Sequence, residues 1–160
     1  MANRLFHTDN YVVDTYLEMI YKIAFLRTKN ISDSEDICQE VFLRYVKSNK
    51  EFESEEHLKA WLIKVTINCS KSFFTSYWRK NTLPLIEDIA YITKKENEIY
   101  HSILKLSKKY RTVIHLFYYE DYSIDEISNI LKAKPSTVRT WLTRARRLLK
   151  EALKGEYNDV

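Results

Sequence analysis

The stretch from Ser123 to Lys150, SIDEISNILKAKPSTVRTWLTRARRLLK, constrains this chain more than any other. Two apolar patterns at helical spacing are separated by only three residues, so the stretch predicts a helix, a tight turn and a second helix. Ser123, followed three residues later by Glu126, is a capping-box pattern that starts the first helix. Ile124, Ile127, Ile130 and Leu131 give that helix its apolar face. Lys132, Ala133 and Lys134 form the connection, and Pro135 suits the first position of the next helix, where a missing N–H costs nothing. In the second helix Val138, Leu142, Ala145 and Leu149 fall at i, i+4, i+7 and i+11, a single buried stripe. The opposite face carries Ser136, Arg139, Thr140, Thr143, Arg144, Arg147 and Lys150. Between Lys132 and Lys154 there are eight bases and one acid, Glu151.

A helix pair of this kind suits the major groove of duplex DNA. The second helix offers its first turns to base edges while Lys and Arg reach phosphates. A plain helical hairpin with a solvated basic face would also explain the stripe and the charge. It would not explain why a capping box, a three-residue turn and an N-terminal proline coincide with a helix rich in Arg and Thr.

The rest of the chain also predicts helices. With one Gly and two Pro in 160 residues, long helices are expected and glycine-built phosphate cradles are nearly excluded. No pair of alternating segments is joined by a hairpin turn, so no sheet is expected. The first helical segment spans 10–29, with Val13, Tyr16, Leu17, Ile20, Ile23, Ala24 and Arg27 tracing one face. Asn30, Ile31 and Ser32 interrupt it. A second helix, about Asp33 to Ser48, opens with Asp33, Glu35 and Asp36, acids that suit a positive helix start. Ile37, Val41 and Tyr45 line its apolar side, and Phe42 and Val46 widen it. Asp36, Gln39, Glu40 and Leu43 lie on the adjoining face, a solvated surface unless a partner meets it. A long helix follows from Ser54, with Leu58, Trp61, Leu62 and Val65 as its buried stripe. Beyond it, Asn68, Lys71 and Ser72 lead into Phe73, Phe74, Tyr77, Trp78, Arg79 and Lys80. Bases interleaved with aromatics can hold unstacked nucleotides and their backbone together, although most of these aromatics are expected in the core.

Residues 81–94 break the pattern at Pro84, which disfavours helix at Leu83, and are taken as a linker with a short helical turn near Glu87–Tyr91. Helices marked by Ile99, Ile103 and Leu106, then by Tyr110, Val113, Ile114, Phe117 and Tyr118, precede the helix pair, and Gly155 is expected to end the last helix. The fold class predicted is all-α: two small helical domains joined by a linker, the C-terminal one with a helix-turn-helix. Charge is partitioned between them. Residues 1–56 hold eleven acids and seven bases, a net of −4, whereas Trp61–Lys80 holds four bases and no acid. That asymmetry points to two kinds of partner.

Cys38 and Cys69 have no paired spacing and are expected as small core residues. The four histidines make no metal-like cluster with them, no nucleophile–base pair can be argued from spacing, and neither a cofactor nor enzymatic chemistry is expected. No apolar run reaches membrane-spanning length and the N-terminus lacks a signal-peptide pattern, so membrane insertion is not expected and a cytoplasmic location is.

Three separated stretches, DSEDICQEVFLRYV (33–46), HLKAWLIKVTINCSKSFF (57–74) and the helix pair (123–150), occur in the order found in bacterial sigma factors. The chain resembles a small two-domain sigma factor of the extracytoplasmic-function (ECF) group. The resemblance implies a region 2-like domain over 1–80, a linker over 81–94 and a region 4-like domain over 95–160. It implies that Asp36, Gln39, Glu40 and Leu43 dock on the clamp helices of core RNA polymerase. Trp61 and Leu62 match the start of the segment that opens the downstream promoter element. Asn68 matches the position that holds a flipped base of the non-template strand, with Lys71, Ser72 and Arg79 alongside. Ser136, Thr137, Arg139, Thr140, Thr143, Arg144 and Arg147 match the face that reads the upstream element as duplex. Core RNA polymerase, promoter DNA and an anti-sigma factor are the partners implied. Four residues depart from the family pattern: Ser72 in place of a common Asp, Ser107 in place of a Pro, Trp141 in place of a frequent Arg, and Lys134 at the cap of the second helix. A stand-alone helix-turn-helix regulator and a helical adaptor that binds an acidic protein are the competing readings.

Overall fold

The computed structural model describes residues 8–76 and 98–158, with side chains placed over 8–72 and 99–155. Among the described residues every regular element is helical, in accord with the all-α reading. The chain divides into two compact units, Met1–Leu83 and Pro84–Val160. The expected linker, with its helical turn near Glu87–Tyr91, lies outside the described residues.

The first unit is built from α1 (Asp9–Thr28), α2 (Ile31–Lys47) and α3 (Glu55–Ser76), each packed on the other two. Thr8 caps α1 by accepting the Tyr11 N–H at 3.2 Å. The break before α2 is shorter than the sequence pattern implies. Lys29 turns into the left-handed region (φ 52°) and returns its N–H to the Phe25 carbonyl, and Asn30 then caps α2 by accepting the Asp33 N–H at 2.8 Å. Two residues therefore suffice to reverse the chain, and Ile31 and Ser32 join the helix instead of interrupting it. The buried face of α1 runs through Val12, Tyr16, Ile20, Ile23, Ala24 and Arg27. Val13 is only half-buried and Leu17 is exposed, contrary to the expected stripe. Both Val12 and Val13 satisfy the spacing, and the arrangement of α2 and α3 decides between them.

Arg27 is buried at the α1–α3 contact and donates from Nε to Ser70 Oγ at 2.5 Å, while the Ser70 hydroxyl donates to the Ile67 carbonyl at 2.6 Å. A buried guanidinium without such acceptors would be costly, so this pairing fixes how α1 and α3 cross. The core centres on Val12, Ile20, Ala24, Ile37, Val41, Leu58 and Leu62. Phe52, between α2 and α3, closes one end. Its ring stacks 6.2 Å from Tyr45 and meets Trp61 edge-on at 5.4 Å.

The second unit comprises α4 (Glu98–Leu104), α5 (Lys108–Ile114), which runs on into a π-helical turn (His115–Tyr119), α6 (Ile124–Leu131) and α7 (Pro135–Asn158). The expected capping box is present in both directions: Glu126 N–H to Ser123 Oγ and Ser123 N–H to Glu126 Oε1, each 3.1 Å. Lys132 closes α6 in the left-handed conformation (φ 54°). The Ala133 N–H donates to the Ser128 carbonyl at 3.1 Å, and the Ser128 hydroxyl donates back to the Ala133 carbonyl. Pro135 opens α7. Val138, Leu142 and Ala145 are fully buried and Leu149 half-buried, so the predicted stripe holds. The expected stop at Gly155 does not occur: α7 continues through it to Asn158. A glycine costs a helix interior roughly 1 kcal/mol relative to Ala, but it ends a helix only by adopting positive φ, which Gly155 does not. Arg111 is buried and donates to the Leu106 carbonyl; burial pushes its pKa down to about 10, which still leaves it charged near neutrality.

Because one side chain makes one half of the box and orients the other, Ser123→Ala is expected to cost about 1 kcal/mol of unfolding free energy. Urea unfolding of the two proteins measures this, and an unchanged midpoint would show that the box is not holding α6.

Candidate functional site

On α2, Asp36, Gln39, Leu43 and Val46 follow one another at i, i+3, i+7 and i+10, and all four are exposed. Leu43 and Val46 are 51% and 56% exposed, large apolar side chains left open on an otherwise polar helix face. Glu40 lies beside them, its Oε1 paired with Arg44 Nε at 2.9 Å. This i, i+4 pair is exposed at both ends and contributes at most a few tenths of a kcal/mol. Its hydrogen bond, rather than the weaker desolvation, governs the guanidinium and holds the Arg44 pKa above its ordinary value. Asp36, Gln39, Glu40, Leu43 and Arg44 line a shallow groove of about 460 Å³, completed from α3 by Cys69 and Ser72.

The exposed face of α3 carries Lys64, Asn68 and Lys71 at i, i+4 and i+7, with Ser72 at its edge. Trp61 starts the same side of the helix but is half-buried. Its ring stands edge-on to Phe52 and, at 6.3 Å, to Tyr45. Such pairs are worth roughly 0.5–1.5 kcal/mol beyond the buried area, so Trp61 serves first as a wall of the aromatic cluster. Arg79, with Tyr77, Trp78 and Lys80, falls outside the described residues. Of the residues expected at the single strand, the structure brings Asn68, Lys71 and Ser72 together, and Ser72 also reaches the α2 groove.

On α7, Ser136, Arg139, Thr140, Thr143, Arg144 and Arg147 are exposed and Thr137 is half-buried beside them. The Thr140 hydroxyl donates to the Ser136 carbonyl at 3.0 Å, so without rotation about χ1 it can only accept from another partner. Arg146, in the same basic run, is engaged elsewhere. Its Nε donates to the Tyr118 hydroxyl at 2.6 Å and its guanidinium lies over the Phe117 and Tyr118 rings. Trp141 is half-buried against α5 with the Lys109 ammonium 5.8 Å from its ring centre.

The sequence reading missed three features. Val46 extends the α2 stripe; its i+3 spacing from Leu43 was available but looked like core. Arg44 enters the groove through its pair with Glu40, an i, i+4 signal that was legible. The third is an apolar groove of about 790 Å³ in the second unit, lined chiefly by Ile99, Ile103, Ile114, Tyr118, Leu149 and Leu153. The first five mark apolar helix positions in the sequence, and only the packing of α4 against α7 shows that they leave a cleft.

Both thiols are buried, as expected, and unpaired with each other. Burial, assisted by the charge of Glu35, pushes the Cys38 thiol up to about 12. Burial also raises Cys69, against the opposing pull of Arg44. Neither is an available nucleophile near neutral pH. Among the described residues no group of His, Cys, Asp and Glu is arranged to hold a metal ion, and no helix is long and apolar enough to cross a membrane.

Residues 12–80 match the family model for sigma-70 region 2 and residues 96–149 that for sigma-70, region 4. The chain belongs to the sigma-70 family, in its ECF group. The ECF RNA polymerase sigma factor SigW of Bacillus subtilis is 28% identical, over 89% of this chain and 87% of its own length. RNA polymerase sigma factor SigV of the same organism is also 28% identical, over 85% of each. Among solved structures, the sigma factor RpoE from Bartonella quintana, in complex with the anti-sigma factor NepR, shares the fold at a TM-score of 0.65. It is 20% identical and covers 91% of this chain and 96% of that one.

The folded Cys38 keeps a proton that the unfolded chain releases above its ordinary pKa of 9.0. A raised pKa of this sign gives stability that is complete below pH 9 and lost as pH rises toward 12. The loss attributable to Cys38 in that window is about 1.4 kcal/mol per pH unit, and Cys38→Ala is expected to flatten the alkaline limb of stability measured by urea unfolding. An unaltered limb would show that the thiol is not held neutral.

Proposed function

We propose that this chain acts by bringing core RNA polymerase to particular promoters, its two units taking different parts of the task. As an ECF sigma factor it is a promoter-directing transcription initiation factor, and we assign it no bond chemistry of its own and a cytoplasmic site of action. The observation that carries the division of labour is the separation of exposed chemistry. The first unit presents an acidic and apolar α2 stripe next to a basic α3 face, and the second presents a cationic helix opposite a sealed apolar stripe.

In this reading residues 1–80 form the polymerase-docking and downstream-element domain, 81–94 the linker and 95–160 the upstream-element domain. Asp36, Gln39, Glu40 and Leu43 meet the polymerase. An exposed leucine flanked by carboxylates and an amide suits a basic surface with an apolar centre, and the Glu40–Arg44 pair is weak enough to be exchanged for it. Asn68, Lys71 and Ser72, with Trp61 behind them and Arg79 beyond, hold the opened strand: an amide and hydroxyl can bond a base edge while the ammonium meets the backbone. Ser136, Thr137, Arg139, Thr140, Thr143, Arg144 and Arg147 face the duplex in the major groove. The solved relative binds an anti-sigma factor, and we extend that class of partner to this chain.

The double variant Gln39→Ala, Glu40→Ala is expected to fold normally, since exposed substitutions cost within about 0.5 kcal/mol, and to lose about tenfold or more in affinity for core polymerase. Undiminished affinity would remove the docking assignment. Arg139→Ala is expected to cost roughly 1–3 kcal/mol at preferred duplexes and little at others, whereas Arg147→Ala weakens all duplexes alike. Uniform weakening by Arg139→Ala on a panel of sites would contradict its base-reading role. The reading as a whole is tested by comparing the chain, core polymerase and their mixture on one promoter fragment with a probe of strand opening. Only the mixture should bind tightly and open it; tight duplex binding that polymerase leaves unchanged would favour a stand-alone regulator.

A further inference from the structure

A helix seated in the major groove, about 12 Å wide, has a phosphate strand on each side. The two sides of α7 are unequally supplied with charge. On one side Arg139 and Lys150 fall at i and i+11, and Arg146 between them is tied to Tyr118. On the other, Thr137, Trp141, Arg144 and Leu148 fall at i, i+4, i+7 and i+11, so Arg144 is the only cation that α7 itself offers there. Trp141 stands midway along that side. It is half-buried, and the residue packed over it comes from a different helix.

That residue is Lys109, exposed in the first turn of α5. Its Nζ lies 5.3 Å from the centre of the Tyr110 ring and 5.8 Å from that of Trp141. Among the described residues its ammonium has no carboxylate partner. Two aromatic faces attract the cation without neutralising it and restrict the long, flexible side chain, which lowers the entropy lost when an anion binds. We propose that Lys109, shelved on Tyr110 and Trp141, is a phosphate contact that completes the poorly charged side of the recognition helix from outside the helix-turn-helix.

The proposal rests on the reading that α7 docks in duplex DNA. It makes Trp141 a positioning residue: Trp141 forgoes a direct charge and holds one supplied by α5. A contact of this kind carries no sequence information. It adds to affinity on every duplex and to its dependence on salt.

The test uses the full chain assembled with core polymerase, a duplex selected by that complex from a randomised pool, and a shuffled duplex of the same length. Affinity is measured over a salt series. Lys109→Gln is expected to weaken both duplexes by the same factor, roughly twofold to fivefold, the range of an exposed ion pair. It should also lower the slope of log affinity against log salt by about 0.9. Lys109→Arg, which can also lie on the rings, should retain both. Trp141→Leu, which keeps an apolar side chain but no ring, should lose part of the effect, and adding it to Lys109→Gln should cost less than the separate losses predict. An unchanged slope in Lys109→Gln, or fully additive losses in the double variant, overturns the proposal. Arg139→Ala separates the two levels. If it abolishes preference for the selected duplex while Lys109→Gln does nothing, the Lys109 contact alone is wrong. If no duplex is preferred even by the unaltered complex, the docking of α7 is wrong and the contact falls with it.

Discussion

Val138, Leu142 and Ala145 are sealed where α7 packs on α5 and α6, and the second unit depends on that one-sided burial. A helix carrying Arg139, Arg144, Arg146 and Arg147 would have no reason to hold a fixed orientation as an isolated segment. The cost of exposing its apolar stripe prevents free rotation, because each large buried aliphatic side chain is worth about 1.5–3 kcal/mol. The same burial decides which arginines are available. Arg146 falls toward Phe117 and Tyr118 and is tied there by its hydrogen bond to the Tyr118 hydroxyl, while Arg139, Arg144 and Arg147 remain outward. One basic run thus yields two kinds of arginine.

The first unit meets a related demand with different means. Its three helices enclose an aliphatic core, yet their crossing is also fixed by a buried charge, Arg27 on Ser70. A polar lock is directional where apolar packing is not. It lies on the face of α3 opposite the exposed run of Lys64, Asn68 and Lys71. Anchoring that helix keeps these side chains and the α2 stripe on a stable frame, and Ser72 stands where the two surfaces meet.

The two units also share a way of joining helices. Lys29 and Lys132 both take the left-handed conformation that a glycine would adopt with less strain. In this glycine-poor chain the reversals are secured by polar side chains: Asn30 and Ser34 after α1, and Ser128 across the helix-turn-helix. Strain at one residue is offset by hydrogen bonds from its neighbours, and each turn needs only two or three residues.

Much of this was legible in the chain itself. The capping box, the proline at the start of α7 and its i, i+4, i+7 stripe are local, and local spacing determines them whatever the rest of the protein does. The same is true of the polar sequence around Asp36, Gln39 and Glu40, and of the all-α class in a chain with one glycine. Other features were decided only by tertiary structure. Spacing allowed either Val12 or Val13 to face inward, and the positions of α2 and α3 selected Val12. Gly155 carried a stop signal that nothing in the fold enforced. Val46 and Leu43 have the composition of core residues but stand exposed, because α1 and α3 already cover the other side of α2. Arg146 and Lys109 could not be told from any other cation in the sequence. Which rings they rest on depends on where α5 crosses α7, a contact between residues tens of positions apart that no local pattern encodes.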